Sequence, residues 1–252
     1  MDDLHEDREA ERQPITWAER LPGPLPAVML DSNQTTTAQE APPAPSEGAG
    51  NHAGLISDSR TKTKKDSMQR PPFEHVILVD EDNHPIGSAE KAAIHHNATP
   101  LHRGFSVFLF DREGRLLLQQ RNLQKKTWPG VWSNSCCGHP QVGESTTEAM
   151  ERRIQDELGI ADVSVTVVLP DYRYRYAHDG VVENEFCPIA VGILDQDPVP
   201  NPDEVEAVRW IPWDQFLEET AGPNAYSEWC VEESRLLVAN LSFQQFYQQL
   251  TR

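Results

Sequence analysis

The segment STTEAMERRIQDEL (145–158), closed by Gly159, constrains this 252-residue chain more than any other. Its strong helix formers and the glycine placed to end them predict a helix over 145–158. Short β-rich runs with turn residues between them lie on both sides. HVILV (75–79) and PIGSAE flank the turn residues Asp80 to His84, and GFSVFLF (104–110) and RLLLQQ (115–120) flank DREG, so each set reads as two strands and a turn. A Trp/Pro/Gly-rich loop, KKTWPGVW, leads into SNSCCG, a further short strand. After the helix, VSVTVVL, YRYRYA and VVENEFCPIAVGIL read as three strands and EAVRWI as another, and SEWCVEESRLLVANLSFQQFYQQL is helical by period. Many strands and few helices, with no internal repeat, predict one α+β domain over 72–252.

Residues 1–71 have a different texture. The first seventy carry seven of the twenty prolines and a stretch, TTTAQEAPPAPSEGAGN, with neither helical nor strand period, which predicts a disordered, acidic, Pro-rich extension. Ile15 to Leu21 (ITWAERL) has helical character but is too short to hold a helix alone.

Charge narrows the function classes. Lys and Arg number 22 against 40 Asp and Glu, a net charge of −18, which argues against nucleic acid and anionic membrane surfaces as partners. No run approaches the roughly 18 apolar residues of a membrane span. Four cysteines are too few and too unevenly spaced for a disulfide scaffold or a CxxC zinc site, and the acidic start, MDDLHEDREAE, is unlike a secretory or organellar signal. These features predict a cytoplasmic protein.

Several residues carry chemistry. His95 and His102 stand seven apart, and His139 follows SNSCCG; His5, His52 and His178 read as solvated loop residues. Glu183 and Glu185, two apart on a strand, share one face of a sheet, and two like carboxylates there repel unless a cation or a shared proton lies between them. Imidazole plus carboxylate suits Mn²⁺, Mg²⁺ or Zn²⁺, the alternative being scattered surface residues. A tight turn at Asp179-Gly180 pairs His178 with Val181 and Tyr174 with Glu185, either as an ordinary cross-strand pair or as a phenol that relays a proton. Strand alternation lets only one of Cys136 and Cys137 face a site, where a thiol serves as acid or base or is simply buried. Trp128, Trp132, Trp210, Trp213 and Trp229 read as core.

The run Gly138-x5-Glu144-x7-Arg152-Arg153-Ile154-Gln155-Asp156-Glu157-Leu158-Gly159-Ile160 resembles the Nudix signature, a glycine loop and a helix that presents carboxylates to a metal holding a diphosphate. It departs where the family's pyrophosphatases carry Glu, here Arg153, and again at Asp156, which puts pyrophosphatase activity in doubt. Arg153 and Glu157 share a helix face, either as a surface ion pair or as contacts to phosphate and Mg²⁺. Beyond that helix, EHVILVDEDNHPIG, EKAAIHHNATPLHRGFSVFLF, KKTWPGVWSNSCCGHPQVGES, YRYRY, VENEFCP and SEWC resemble the type I isopentenyl diphosphate isomerases over about 74–231. The resemblance implies a Nudix-like mixed β-sheet core flanked by helices, and an enzyme that moves a double bond in a five-carbon diphosphate through a tertiary carbocation. It further implies a metal site at His95, His102, His139, Glu183 and Glu185 holding one Mn²⁺, Mg²⁺ or Zn²⁺. Cys137 and Glu185 match its two catalytic residues, with Tyr174 beside the glutamate and Trp229 facing the cationic centre. Glu157 matches a residue that helps hold Mg²⁺ on the diphosphate, and Lys91, Arg121, Lys125 and Arg153 match contacts to the phosphates. The partner expected through the resemblance is a small-molecule substrate, with the chain a monomer or a homodimer.

Overall fold

The computed structural model describes residues 74–223 and 226–252; the extension expected over 1–71 and the candidate helix at Ile15 to Leu21 lie outside the described residues. In chain order the elements are β1 (His75–Val79), β2 (Pro85–Glu90), α1 (Lys91–Ile94), β3 (His102–Arg103), β4 (Phe105–Phe110), β5 (Arg115–Arg121), β6 (Trp132–Ser133) and β7 (Cys136–Gly138). Then follow α2 (Thr146–Leu158), β8 (Val165–Leu169), β9 (Arg173–His178), β10 (Val181–Phe186), β11 (Ile189–Ile193), β12 (Val205–Pro212), α3 (Trp213–Glu219), α4 (Glu228–Ala239) and α5 (Leu241–Leu250).

The strands form two sheets. One runs β2-β1-β3-β10-β9; the other runs β12-β5-β4-β11-β8, with β7 paired to β4 and β6 to β5. All six residues of β4, FSVFLF, are buried, the mark of a strand covered on both faces. Alternation divides them: Phe105, Val107 and Leu109 pack with Ala149, Met150, Ile154 and Leu158 of α2, while Phe108 and Phe110 join Trp213, Trp229, Leu237 and Phe243 from the C-terminal helices. The second sheet therefore carries a helical layer on each side.

α2 forms as expected and is capped at both ends. The Ser145 hydroxyl accepts from the Glu148 amide and the Glu148 carboxylate accepts from the Ser145 amide, a capping box whose hydroxyl contributes about 1 kcal/mol. Gly159, at φ 68°, closes the helix by donating to the Gln155 carbonyl.

Three expectations need correction. VVENEFCPIAVGIL is two strands in different sheets, because Pro188 has no N–H to continue the ladder: β10 pairs with β9 and β3, and β11 with β4 and β8. The C-terminal helical run is two helices, broken at Asn240, whose side chain turns back to accept from the Phe243 amide at 2.9 Å. SNSCCG, expected as one strand, is divided between β6, which pairs with β5, and β7, which pairs with β4; WDQFLEE, for which no element was expected, forms α3 directly after Pro212. Among the described residues no helix is long and apolar enough to cross a membrane.

Candidate active site

Two chain segments pass from the first sheet to the second side by side. One crosses at Gly104, between β3 and β4; the other crosses at Cys187-Pro188, between β10 and β11. They stay hydrogen-bonded through the passage, Gly104 donating to the Phe186 carbonyl at 2.8 Å and Ser106 to that of Pro188 at 3.1 Å. β3 and β10 run parallel with His102 opposite Glu185, so the crossover itself brings a histidine against a glutamate. Gly104 leaves room for that glutamate: a Cβ at its position would stand 1.8 Å from Glu185 Oε2 and displace the carboxylate. Beside this crossover lies a cavity of about 390 Å³.

At one end of the cavity His95, His102, His139, Glu183 and Glu185 bring their ligand atoms within 4.8 Å of one another. His95 Nδ1 lies 2.9 Å from the Lys91 carbonyl and His102 Nδ1 2.9 Å from the Pro100 carbonyl. A carbonyl accepts only, so those nitrogens carry the hydrogens and both rings turn Nε2 inward. There His95 Nε2 lies 3.1 Å from Glu183 Oε2, and His139 Nε2 lies 3.2 Å from His102 Nε2 and 3.0 Å from Glu185 Oε1. Burial pushes His139 down to about 4 against the pull of Glu185, which keeps the ring in its neutral, ligating form. Three imidazoles and two carboxylates gathered this closely fit a divalent cation among them.

The two sheets supply facing walls. From β7, Cys136 points into the α2 core and Cys137 lines the cavity, as strand alternation requires. The Cys137 thiol donates to Asn134 Oδ1 at 3.2 Å and lies 3.5 Å from the Ser106 hydroxyl. Burial, reinforced by the Glu233 carboxyl, pushes that thiol up to about 12. From β9 and β10 come Tyr174 and Glu185, paired across the hairpin that Asp179 and Gly180 turn with φ 47° and 80°. Burial and the neighbouring Glu185 raise the Tyr174 phenol well above its ordinary range, so it stays protonated. Burial alone would raise Glu185, but His139 and His102 outweigh it and hold the carboxylate well below its usual range. Tyr172 and Tyr174 bury their rings on the glutamates' side of the hairpin, Tyr172 donating to Glu232 of α4 at 2.8 Å. Trp229, from the first turn of α4, stacks on Tyr174 at 5.9 Å, takes the edge of Trp128 at 5.1 Å and carries the Arg121 guanidinium 5.7 Å from its ring centre.

At the far end, Lys91, Arg121, Lys125 and Arg153 line the same cavity. Each of three finds a carboxylate: Lys91 meets Glu74 at 2.8 Å, Lys125 meets Glu204 at 2.6 Å, and Arg153 bonds Glu157 with Glu204 at 3.3 Å. The Arg153–Glu157 pair is buried, with Arg153 3% exposed, so the surface reading of that pair does not hold. Glu157 also accepts from Gln119 at 3.1 Å, and Arg153 and Lys125 overcome its burial to keep it ionised.

Of the candidate residues, His102 alone is absent from the cavity lining; it is fully buried behind His139 and Glu185. Sequence reasoning missed Glu74 and Glu204, whose partners lie 17 and 79 residues away and which no local period marks. It also missed Gly104, Ser106 and Glu233. Of these, Glu233 carried a signal, since it stands one helical turn after Trp229. His178 corrects a further reading: it ends β9 and stacks on Trp128 at 5.2 Å.

Comparison with known proteins bears on family and fold. The NUDIX domain family matches residues 100–230. The chain is 47% identical to an isopentenyl-diphosphate Delta-isomerase of Mycolicibacterium vanbaalenii over 68% of its own length and 95% of the relative's. It is 48% identical to one of Frankia alni over 64% and 84%, and 48% identical to one of Citrobacter koseri over 63% and 88%. Among solved structures, DR0079 of Deinococcus radiodurans superposes with a TM-score of 0.53 at 21% identity, over 65% of this chain and 98% of that one, a likeness of fold alone.

Proposed function

The chain belongs to the isopentenyl-diphosphate Delta-isomerase family, built on a NUDIX domain, and we propose that the cavity between its sheets performs that reaction with Cys137 on one side of the substrate and Glu185 on the other. It interconverts isopentenyl and dimethylallyl diphosphate, a step of isoprenoid biosynthesis. The reaction adds a proton at C4 of the alkene, leaving a tertiary cation at C3, and removes one from C2. One side must therefore hold a proton and the other accept one, and the reverse reaction exchanges the roles. Cys137 keeps its proton to about pH 12 and Glu185 is ionised, which supports a thiol facing a carboxylate as the resting pair. Tyr174, a neutral phenol opposite Glu185, has the position to hand that carboxylate a proton. Trp229, 3% exposed, offers a π face to the cation and helps exclude the water that would quench it.

Lys91, Arg121, Lys125 and Arg153 are the groups for the diphosphate. Glu157, an ionised oxygen donor on the same wall, suits Mg²⁺ carried in with it. His95, His102, His139, Glu183 and Glu185 would hold a second divalent ion, and three imidazole nitrogens favour Mn²⁺ or Zn²⁺ over Mg²⁺. When bound, that ion supplies positive charge that offsets the buried carboxylates and fixes the Glu185 side chain.

The observation that carries this reading is that Cys137 and Glu185 reach one cavity from different sheets. Single variants test it. Cys137→Ala is expected to abolish formation of dimethylallyl diphosphate, and Cys136→Ala, whose thiol lies in the core, to retain it. A Cys137→Ala enzyme of near-normal rate would assign the proton transfer elsewhere.

A further inference from the structure

The aromatic wall of the cavity continues outward into a residue that the cavity does not touch. Trp128 is buried, 1% exposed, yet its backbone sits at φ 47°, the left-handed region that a bulky side chain rarely occupies. Such a conformation persists only where the surroundings hold it in place. Side-chain contacts supply that hold. The indole N–H donates to Glu228 Oε2 at 2.7 Å, across 100 positions of sequence. The ring stands at 74° to that of Trp229, with centres 5.1 Å apart, and His178 stacks on it at 5.2 Å. Trp229 lines the cavity, whereas neither Trp128 nor Glu228 does.

Glu228 and Trp229 are the first two residues of α4. The start of that helix has other anchors. The Ser227 amide donates to the Trp132 carbonyl at 2.9 Å, the Ser227 and Ser133 hydroxyls lie 2.9 Å apart, and Glu232, one turn on, accepts from Tyr172 and Tyr176. Docking of α4 therefore does not depend on the bond between Trp128 and Glu228, whose side chain is exposed. What that bond fixes is the Trp128 ring, and that ring packs against Trp229 while Tyr174 stacks on it at 5.9 Å.

We propose that Trp128 is a positioning residue for the isomerase reaction: tied to Glu228, it holds the Trp229 indole at the angle from which its π face meets the cation. The proposal rests on the reading of Trp229 as the ring that faces that centre. Cation–π attraction requires the cation to lie over the face of the ring, so an indole free to tilt loses rate. Because Trp128 lies outside the cavity, the loss falls on kcat with KM little changed.

Variants at Glu228 test this with isopentenyl diphosphate as substrate, since an exposed side chain can be replaced with little effect on the fold. Glu228→Gln keeps an acceptor and is expected to hold kcat within about twofold of the wild type. Glu228→Leu removes the acceptor and is expected to lower kcat about fivefold at unchanged KM; Trp128→Phe, which loses the N–H and part of the ring, is expected to lower it about tenfold. The same Glu228→Leu change is then made in a Trp229→Leu background, which has no π face to aim, and there it is expected to alter kcat less than about twofold. A merely structural role would give the same fall in both backgrounds and would overturn the proposal. So would wild-type kcat in Glu228→Leu, or an equal loss in Gln and Leu, which would assign the effect to charge. Trp229→Leu alone separates the failures: if it turns over at the wild-type rate the reading of Trp229 falls and the proposal with it, and if it is slow while Glu228→Leu is normal only the role of Trp128 falls.

Discussion

The two ends of the cavity are built on opposite principles. At the phosphate end each of Lys91, Lys125 and Arg153 has a carboxylate partner, while Arg121 bonds the Thr127 carbonyl and hydroxyl. At the histidine end imidazole nitrogens and carboxylate oxygens crowd together with no Lys or Arg among the five. Cations already paired with carboxylates let a site stand ready for an anion and yield to it by exchanging partners. Two buried carboxylates among imidazoles make a site that a cation stabilises. The phosphate end thus reads as a place for something that comes and goes, and the histidine end as a place for something that stays.

The sharpest way to break that contrast is to remove one ligand from the histidine end. His102→Ala or Glu183→Gln is expected to lose a tightly held ion and to lower turnover more than about a hundredfold, beyond the usual loss of a group that merely supports a ligand. Metal analysis after dialysis checks the first effect and a rate assay the second; fully active metal-free protein would erase the distinction between the ends.

Between the ends, Trp229 sharpens the account of the chemistry. A cation at C3 gains roughly 2 kcal/mol from a desolvated indole face, about thirtyfold in rate. Trp229→Phe keeps a weaker π surface and Trp229→Leu keeps apolar bulk of nearly Phe size without it, so kcat is expected to fall in the order Trp, Phe, Leu, with Phe and Leu both destabilised but close to each other in melting temperature. Rates for Phe and Leu that agree and follow stability would return Trp229 to the core.

The smallest effect is expected at the phosphate end. Burial would raise Glu204, but Arg153 and Lys125 outweigh it and hold it at about 2, below its ordinary value near 4.5. A depressed carboxylate stabilises the folded protein above its unfolded pKa, and that contribution fades as pH falls from about 4.5 toward 2. Glu204→Gln is therefore expected to lower the melting temperature slightly and uniformly above pH 5, with the gap to wild type closing below pH 4.5. Because the side chain is 30% exposed, screening limits the loss to about 1 kcal/mol. Parallel acid melting curves would show that the pairing contributes nothing.

Much of this was legible in the chain because the signals are local. The capped helix over 145–158, the Asp179-Gly180 turn that pairs Tyr174 with Glu185, and the rule that only one of Cys136 and Cys137 faces a site each follow from spacing within one element, while the choice of Cys137 came from the resemblance. The metal and phosphate residues were legible only through resemblance, since no period joins His95 to Glu183. What escaped was non-local. A proline divided VVENEFCPIAVGIL between two sheets, and that division creates the crossover at which Gly104 gives way to Glu185. Glu74 and Glu204 acquire meaning only once distant segments bring Lys91, Lys125 and Arg153 against them.

Turnover of isopentenyl diphosphate in D2O, followed by NMR of the product, tests the two-sided cavity most directly. If Cys137 and Glu185 act from facing walls, the hydrogen added at C4 is not the one taken from C2. The dimethylallyl diphosphate formed should then carry a solvent-derived deuterium in the methyl group made from C4, without release of inorganic phosphate. A product free of deuterium would mean that one group carries the same proton from C2 to C4, and would contradict the account.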